Sequence, residues 1–492
     1  MKRIKQVKRN ESPKKTGQFR GNSWMVLLVL AIAEFAVLLD ITIVNVALPH
    51  IAVGLKFAES NLQWVISAYT LMFGGFLLLG GRVADLFGRR RLFTIGILLF
   101  GAASLGGGLA STADTLIAMR VLQGLGAAFL TPAALSIVTV TFPHGRDRNI
   151  AMGIWGGLAG LGGTLGVVAG GLLVNYLSWR WVFFVNVPII ALTLLLTPIF
   201  IHESRISGVE GGRGRFDVLG AILGTGGLLA VVYGIVRAQP LGWGSAEVIF
   251  MLVVGILALS LFVVVEARSA APLVPLGLFR SRGFTTAISV LGLNGAAFLA
   301  MFFLTAIFLQ EVRGDSALKA GIQFLPMGVA AVVMAVLASQ LVTRIGTRPV
   351  QFGGVVASVV GLGLLSQAGA NGGYVSTILP GLVLFGVGII GTGVAAQIVA
   401  LMDIEHHHAG SASGVINAFY QVGGALGLAV VATLSASRVT SALTSGASHP
   451  QALVDGYSQG LVVAAGFALV SLVLTFISPR KRPTAEQVRE VL

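Results

Sequence analysis

Ionisable side chains inside apolar stretches are the residues of this chain best placed to do chemistry. Asp40 and Glu34 lie within the first long apolar run, and Arg120 lies within the fourth. Because an ionised group in hydrocarbon is costly, such residues mark proton or ion pathways by default. An acid that takes up and releases a proton beside an arginine can couple proton movement to another process. A purely structural ion pair is the alternative, and the sequence leaves both interpretations open.

The positions of these residues along their segments indicate which of them can meet. Asp40 precedes Pro49 by nine residues, which places it about 13 Å from the end of its segment at about 1.5 Å per residue. Arg120 lies about 8 Å inside the fourth run by the same rise, so its depth is compatible with pairing to Asp40. We expect these two residues to pair, with Asp40 as the acid that takes up and releases protons.

A second polar face is expected on the first segment. Eleven residues separate Glu34 from Asn45, close to three helical turns, so the two side chains share one stripe. Asp40 lies about 120–140° around the helix from both. One face can therefore couple protons while the other contacts a substrate. A protonated, hydrogen-bonded Glu34 that fills a packing gap is an equally good interpretation.

The elements that position these residues are predicted to be membrane-spanning helices. Only 11% of the residues are charged, against about 25% in a soluble domain, and the mean hydropathy is +0.90. Apolar runs near the roughly 20 residues that cross a bilayer as a helix recur along the chain, whereas a barrel would show alternating strands of about 10 residues. The predicted fold class is an all-α membrane protein with fourteen spans, at 24–48, 62–80, 92–111, 115–138, 149–173, 181–201, 217–237, 246–266, 284–309, 318–341, 350–368, 375–400, 410–435 and 457–477.

The distribution of basic residues predicts the topology. If the N-terminus is cytoplasmic, 26 of the 33 Lys and Arg fall in cytoplasmic segments, six in external segments, and Arg120 lies inside the membrane. This asymmetry is what the positive-inside rule expects of a protein with both termini in the cytoplasm. The net charge of +14 therefore indicates topology rather than nucleic-acid binding. The basic N-terminal tail can also contact anionic membrane lipids, although a solvated tail is the simpler interpretation.

Composition and motif length exclude further classes of site. The apolar run from Trp24 is too long for a secretory signal, and it carries Glu34, Asp40 and Asn45. Cysteine is absent, so disulfides, thiolate metal sites and thiol nucleophiles are excluded. The histidine run at 406–408 is expected to be a solvated loop, so no metal site is predicted.

A short charged loop, Gly81 to Arg91, is predicted between the second and third spans, and we call it the connector. Within it Asp85 and Arg89 are four residues apart and can pair, and the arginines are expected at the head groups. A degraded copy at 339–348 joins spans ten and eleven, with Thr343 where Asp85 stands. The copy indicates that the chain has two related halves. The residues that carry the pattern of the connector are Gly81, Asp85, Gly88, Arg89 and Arg90.

This connector resembles the signature loop of the major facilitator superfamily, and other segments resemble that superfamily's fourteen-span drug:proton antiporters. Those segments are Leu39 to Pro49, Arg120 to Gly124, Trp179 to Pro188, Phe216 to Gly220 and Leu273 to Phe284. The resemblance implies two six-helix bundles plus two extra central helices, with the substrate between the bundles. It also implies that Arg120 takes part in proton transfer. Asp85 would meet a helix N-terminus of the other half as a conformational latch, the alternative being a topology signal alone.

The resulting division of the chain places the extra helix pair between the two bundles. The predicted parts are a basic tail at 1–23, a first bundle at 24–201, an inserted helix pair with its flanking loops at 202–283, a second bundle at 284–477 and a C-terminal tail at 478–492.

Glycines in the fifth span lie on the G-x-x-x-G spacing that allows close approach of helices. They are Gly162, Gly166, Gly170 and Gly171. Antiporters of the similar family usually have proline where Val167 stands, so tight packing is favoured over a kink at this point.

Polar residues elsewhere in the spans are candidate substrate contacts, with interhelical packing as the alternative interpretation. Besides Glu34 they are Asn45, Gln123, Asn294, Gln397, Asn417, Tyr420 and Gln421.

The predicted function is proton-coupled efflux of lipophilic drugs, antibiotics or related small molecules by alternating access. A proton-linked uptake symporter and a dedicated exporter of one metabolite are the alternatives on the same fold. The chain has no nucleotide-binding loop or nucleophile constellation, so we expect a transporter rather than an enzyme. We expect a monomer without cofactors, in the bacterial plasma membrane, that uses the proton gradient as its energy source.

Overall fold

The computed structural model of the protein describes residues 20–57, 59–142, 146–203, 217–269, 272–369, 372–402, 404, 409–480 and 483–484. The described chain is helical and contains no strand. The predicted all-α fold class is therefore confirmed.

Fourteen long helices form the body of the described chain. They are α1 (Arg20–Leu55), α2 (Trp64–Phe87), α3 (Arg89–Gly108), α4 (Ala113–Thr141), α5 (Arg146–Tyr176), α6 (Asn186–Phe200), α7 (Val218–Leu241), α8 (Ala246–Arg268), α9 (Arg282–Ile307), α10 (Ala317–Ile345), α11 (Thr347–Ser366), α12 (Leu379–Leu401), α13 (Ala409–Thr444) and α14 (His449–Ile477).

Thirteen of these helices are long and apolar enough to cross a membrane over the residues that the structure describes, α6 together with the short helix Trp181–Phe184 that precedes it. The remaining one, α5, is 31 residues long and carries a shorter described apolar stretch, Leu165–Tyr176. Several helices extend beyond the predicted spans. The first helix continues past Pro49 to Leu55. Pro49 removes one N–H donor but does not end the helix.

The charged connector proves to be mostly helix rather than loop. Residues 81–87 continue α2, and α3 begins at Arg89, so a single residue, Gly88, breaks the two helices apart. Its φ of 111° lies in a region that glycine adopts readily and other residues rarely do. Gly346 has a φ of 91° and separates α10 from α11 in the same way. The degraded second copy has therefore kept the geometry of the turn.

Each set of six helices packs into its own bundle. In the first, α1 packs on α5 and α6, and α4 packs on α2 and α3. In the second, α9 packs on α13 and α14, and α12 packs on α10 and α11. The inserted helices α7 and α8 pack on each other, and α7 also contacts α2 of the first bundle and α13 of the second. The two bundles meet along α2 and α13 on one side, and along α5 and α10 on the other.

The contact between α5 and α10 is confined to one end of the molecule. A Cβ added at Gly171 would lie 2.8 Å from the carbonyl oxygen of Ala317, whereas one added at Gly153 would meet nothing within 4 Å. On α10, Val333 and Val336 are 52% and 58% exposed. On this side of the molecule the bundles therefore touch near Gly171, and α5 and α10 separate towards the end that carries Gly88, whereas α2 and α13 remain in contact there. We call that end the basic end, and the charge distribution predicts that it is cytoplasmic.

Candidate functional site

Asp40 is fully buried in α1 and accepts hydrogen bonds from three side chains of two other helices. Arg120 of α4 donates to Oδ2 at 2.5 Å. Gln123 of α4 and Asn186 of α6 donate to Oδ1 at 2.7 and 2.9 Å. Positions 120 and 123 are one turn apart on α4, which is why both reach the same carboxylate.

Arg120 is only 1% exposed, and its guanidinium is held from several sides. Its Nε donates to the carbonyl oxygen of Val65 at 2.7 Å, and its Nη1 also donates to Oε1 of Gln123 at 2.8 Å. The guanidinium carbon lies 4.3 Å from the ring centroid of Tyr69, within cation–π distance. The arginine therefore connects the buried acid of α1 to the backbone at the start of α2.

The network extends to α3 through Ser104, whose hydroxyl accepts a hydrogen bond from Gln123 at 2.9 Å. Ser104 in turn donates to the carbonyl oxygen of Phe100 at 2.8 Å. Two polar atoms at its edge, Oδ1 of Asn186 and the hydroxyl of Tyr69, are buried without a partner in the described chain. We define this set, Asp40, Ser104, Arg120, Gln123 and Asn186, as the acid–arginine network.

The sequence predicted the two charged members of this network, Asp40 and Arg120, but it did not predict that Gln123 belongs with them. Gln123 was a candidate substrate contact, but it is fully buried and its amide is directed at Asp40, Arg120 and Ser104. Asn186 was overlooked, although an amide side chain in an apolar helix is a usable signal. Ser104 carries no such signal, because a small hydroxyl in a span normally bonds its own helix.

Glu34 lies on α1 away from this network and is 5% exposed. Its Oε2 accepts a hydrogen bond from Thr131 of α4 at 2.9 Å. Asn45, predicted on the same stripe, is buried and donates to the carbonyl oxygen of Ile41 in its own helix at 2.7 Å. The two residues therefore do not form one polar surface in this conformation.

The candidates in the second bundle differ in exposure. Asn294 of α9 is buried and donates to the carbonyl oxygen of Ile389 in α12 at 2.9 Å, so it joins two helices. Asn417 is exposed and donates to the carbonyl oxygen of Ser413 at 3.1 Å.

Three further candidates are partly buried, namely Gln397, Tyr420 and Gln421. A Cβ added at Gly74 of α2 would lie 2.8 Å from Cβ of Gln421, so this residue packs where the bundles meet.

At the basic end, Glu203 holds the start of α3. Its two carboxylate oxygens accept hydrogen bonds from the backbone N–H groups of Arg90 and Arg91, both at 3.2 Å. The side chain of Arg91 lies 3.8 Å from the same carboxylate. An acid at a helix N-terminus is favoured by the helix dipole. The side chain of Asp85, the predicted latch, lies outside the described part of the structure.

Three of the glycines in α5 pack directly against α1. Added Cβ atoms at Gly162 and Gly170 would lie 2.7 Å from Cβ of Leu38 and 2.8 Å from the carbonyl oxygen of Ile43, and one at Gly166 would lie 3.0 Å from the carbonyl oxygen of Leu39. Close approach of the helices accounts for these three glycines. The fourth, Gly171, faces α10 instead.

No group of His, Asp and Glu that could hold a metal ion occurs among the described residues. The histidine run at 406–408, together with Asp403 and Glu405, lies outside them.

Two six-helix bundles packed against each other, with a buried acid and arginine inside one of them, define a multi-pass membrane transporter. The chain belongs to the Major Facilitator Superfamily, whose family model matches residues 30–428.

Relatives of known name agree with this assignment. The chain is 40% identical over 457 residues to the puromycin resistance protein pur8 of Streptomyces alboniger, covering 92% of this chain and 90% of that protein. It is 38% identical to the cephamycin export protein CmcT of Amycolatopsis lactamdurans, covering 92% of each. It is 35% identical to the multidrug resistance protein Stp of Mycobacterium tuberculosis, covering 85% of this chain and 77% of that protein.

Solved structures support the fold alone. A bacterial homologue of the human lysosomal transporter Spinster, inward-facing and unoccupied, has a TM-score of 0.65 at 16% identity, covering 93% of this chain and 97% of that one. A POT family transporter with a bound peptide conjugate has a TM-score of 0.65 at 15% identity, covering 92% and 96%.

Proposed function

We propose that the protein exports small lipophilic antibiotics or drugs from the bacterial cytoplasm in exchange for external protons. The observation that carries the coupling part of this proposal is the buried contact between Asp40 and Arg120. Relatives named for antibiotic resistance, export and multidrug resistance support the direction of transport.

Proton binding can act on this network because Asp40 holds it together. As an ionised acid it balances Arg120 and accepts two further hydrogen bonds from Gln123 and Asn186. A proton on Asp40 removes the charge that balances the arginine, and Arg120 then keeps only neutral acceptors such as the carbonyl oxygen of Val65. Breaking a buried pair in this way costs about 3–5 kcal/mol unless the helices rearrange.

The rearrangement would reach the end at which the bundles are closed. Val65 lies in the first turn of α2, opposite the basic end, and it is fully buried. Protonation that releases Arg120 from its present position therefore alters the packing of Val65 in the apolar cluster that also contains Val167 of α5 and Ala317 of α10. A proton shifts the conformational equilibrium only if it binds more tightly to one state than to the other. The network provides that difference in affinity.

The substrate would enter from the basic end, where α5 and α10 are apart. In this proposal Glu34 is a contact for cationic lipophilic substrates, since it is the buried acid of α1 that Arg120 does not balance. Basic segments at the same end support cytoplasmic termini and a plasma-membrane location.

A dedicated exporter of one antibiotic is the second candidate function. Several relatives are named for a single compound, including puromycin, cephamycin and lincomycin. A multidrug exporter should move many of these compounds and cationic dyes, whereas a dedicated exporter should move one.

The test of the proposed function uses everted vesicles in which an imposed pH gradient drives uptake of puromycin, lincomycin, a cephamycin and cationic dyes. We expect gradient-dependent transport by the native chain and none by Asp40→Asn. Asp114→Asn, at an exposed acid of α4, is the matched control and should transport normally. Equal gradient-driven transport by Asp40→Asn and the control would refute proton coupling through Asp40, and movement in the opposite direction would favour uptake.

A further inference from the structure

The inserted helix α8 buries an acid while it exposes its apolar side chains. Ile256 and Leu257 are 59% and 62% exposed, as expected for a helix that faces lipid. The buried residues in the described part of α8 are Val248, Gly255 and Glu266, and Glu266 is only 2% exposed. Because Glu is almost never fully buried unless it is paired, Glu266 requires a specific explanation.

One oxygen of Glu266 holds the segment that leads into the second bundle. The backbone N–H of Val274 donates to Oε2 at 3.1 Å. Val274 belongs to the stretch between α8 and α9, which also contains the short helix Leu276–Arg280. The acid therefore fixes the inserted pair to the beginning of the second bundle.

A second buried acid, Asp217, lies beside Glu266. Asp217 caps α7, with Oδ1 accepting from the N–H of Gly220 at 2.6 Å, and it is 7% exposed. A Cβ added at Gly220 would lie 2.7 Å from Oδ1 of Asp217 and 2.9 Å from Oε1 of Glu266. The two carboxyl groups therefore converge on the same glycine.

Each of these acids has one oxygen without a partner. Oδ2 of Asp217 and Oε1 of Glu266 are buried and accept no hydrogen bond from any described residue. The basic side chains of the adjoining elements, Arg268, Arg280 and Arg282, are exposed, and none of them forms an ion pair with either acid. Within the described part of the chain no basic side chain balances two ionised carboxylates in such a position, and each negative charge favours the protonated form of the neighbouring acid.

We propose that Asp217 and Glu266 form a second proton-binding site, in which the pair holds one proton at the base of the inserted helices. A proton on either acid removes one of the two charges. The site is separate from the acid–arginine network and lies at the basic end. This inference rests on the proposed function only for the topology of the protein. With the basic end in the cytoplasm, occupancy of the site would respond to the cytoplasmic proton concentration.

The position of the pair suggests what its proton controls. Ala221, next to Gly220, and Val274, the residue held by Glu266, belong to one apolar cluster with Leu79 of α2 and Val415 of α13. This cluster lies where the two bundles and the inserted helices meet. Loss of the proton leaves two repelling charges under it, which loosens the contact of the inserted helices with the segment entering α9.

The experiment measures the protonated carboxyl group directly. Infrared spectra of the purified protein, titrated from mildly acidic to mildly alkaline pH, should contain a carboxylic acid C=O band that disappears on titration. The background is an Asp40→Asn/Glu34→Gln protein, so that these two buried acids do not contribute. We expect Glu266→Gln and Asp217→Asn each to abolish the band, and Glu247→Gln, at a half-buried acid of α8 that pairs with Arg237, to leave it unchanged.

The possible outcomes separate this proposal from its alternatives and from the proposed function. A band that is missing in the background protein, or that persists in both pair variants, overturns the proton-binding site. Displacement of the band by Na⁺, K⁺ or Ca²⁺ at fixed pH would replace the proton with a metal cation as the ligand. The infrared measurement requires no transport, so its result does not depend on whether the protein exports drugs.

A second measurement tests the consequence for the fold. The chain has no native cysteine, so spin labels can be placed at introduced cysteines in positions 219 and 277, both exposed at the basic end. We expect their distance distribution to broaden as the pH rises and to be independent of pH in Glu266→Gln. A distance that changes equally with pH in both proteins would contradict the proposed control of this contact.

Discussion

Arg120 contacts Asp40 at 2.5 Å, and neither side chain is more than 1% exposed. The contact joins α4 to α1 within the first bundle, and Arg120 extends it to α2 through the carbonyl oxygen of Val65. The network lies entirely in one half of the molecule. Its protonation would therefore act on the packing of that half, which then moves against the other.

Removal of one charge of the pair should destabilise the protein more than removal of both. Arg120→Leu leaves Asp40 buried without its counter-charge, and we expect a loss of about 3–5 kcal/mol. Asp40→Asn/Arg120→Leu should recover much of this stability, because no unpaired charge remains. Thermal unfolding in detergent measures the stability, and gradient-driven transport measures the coupling.

Recovery of stability without recovery of transport would identify the pair as functional. Recovery of both would reduce it to a structural ion pair. Arg438→Leu, whose arginine forms an exposed ion pair with Asp455, is the control and should change stability by less than about 1 kcal/mol.

The contact between α5 and α10 should be sensitive to side-chain size at Gly171. Gly171→Val places atoms against the backbone of Ala317 and Leu318, so the bundles cannot close at that end. We expect transport to be lost. Gly163→Val, on the same helix with nothing within 4 Å of the added Cβ, is the matched control and should be tolerated.

Spin labels at introduced cysteines in positions 172 and 322, both exposed beside this contact, report the separation directly. Their distance should increase in Gly171→Val and remain native in Gly163→Val. An unchanged distance in Gly171→Val would contradict the closed contact described above.

Gly88→Ala should be more damaging than an alanine at another glycine of positive φ. At Gly88 the φ of 111° disfavours any side chain, and an added Cβ would also lie 2.5 Å from a carboxylate oxygen of Glu203. Gly242→Ala shares a positive φ, 81°, but has nothing within 4 Å. Backbone strain alone costs about 1–3 kcal/mol, so the control should lose that much and Gly88→Ala more.

Glu203→Ala separates the two contributions at Gly88. In that background the added methyl group meets no carboxylate, so Gly88→Ala should cost only as much as Gly242→Ala. Thermal unfolding of the single and double variants measures this difference. Equal effects of Gly88→Ala with and without Glu203 would show that the carboxylate does not restrict the turn.

Glu34→Gln should change substrate preference rather than coupling. The substitution keeps a hydrogen-bond partner for Thr131 but removes the acid, so we expect efflux of cationic dyes to fall at least about tenfold, the equivalent of 1.4 kcal/mol. Efflux of neutral compounds should remain within about twofold of the native value, well under 1 kcal/mol. Equal loss of both substrate classes would assign Glu34 to stability or coupling instead.

The sequence was informative about features that depend on the hydrophobicity of a span or on a charge within it. The number of helices follows from the lengths of the apolar runs, and the candidate status of Asp40, Arg120 and Glu34 follows from the cost of charge in hydrocarbon. It was wrong about the connector at 81–91, which is two helix ends joined at Gly88. Charged residues in the printed sequence suggested a loop, whereas they prolong helices beyond the membrane.

Other features could not be predicted because they depend on contacts between distant segments. Asn186 reaches Asp40 across 146 positions of the chain, and Glu203 reaches the start of α3 across 113. The pairing of Asp217 with Glu266 likewise needs α7 and α8 to lie side by side. A polar side chain in a span reveals that it needs a partner, but not which one.

By itself, then, the sequence determined that this is a helical membrane protein with two related halves and a few charged residues inside it. Local hydrophobicity is sufficient for that, because the bilayer requires each span to satisfy its own backbone hydrogen bonds. Only the tertiary structure decided that Gln123 and Asn186 join Asp40 and Arg120 in one network, that α5 and α10 touch at Gly171 and separate at the other end, and that Glu266 and Asp217 both lie beside Gly220. These relationships depend on how the helices pack, and packing is set by side-chain shape across helices rather than by the composition of any one of them.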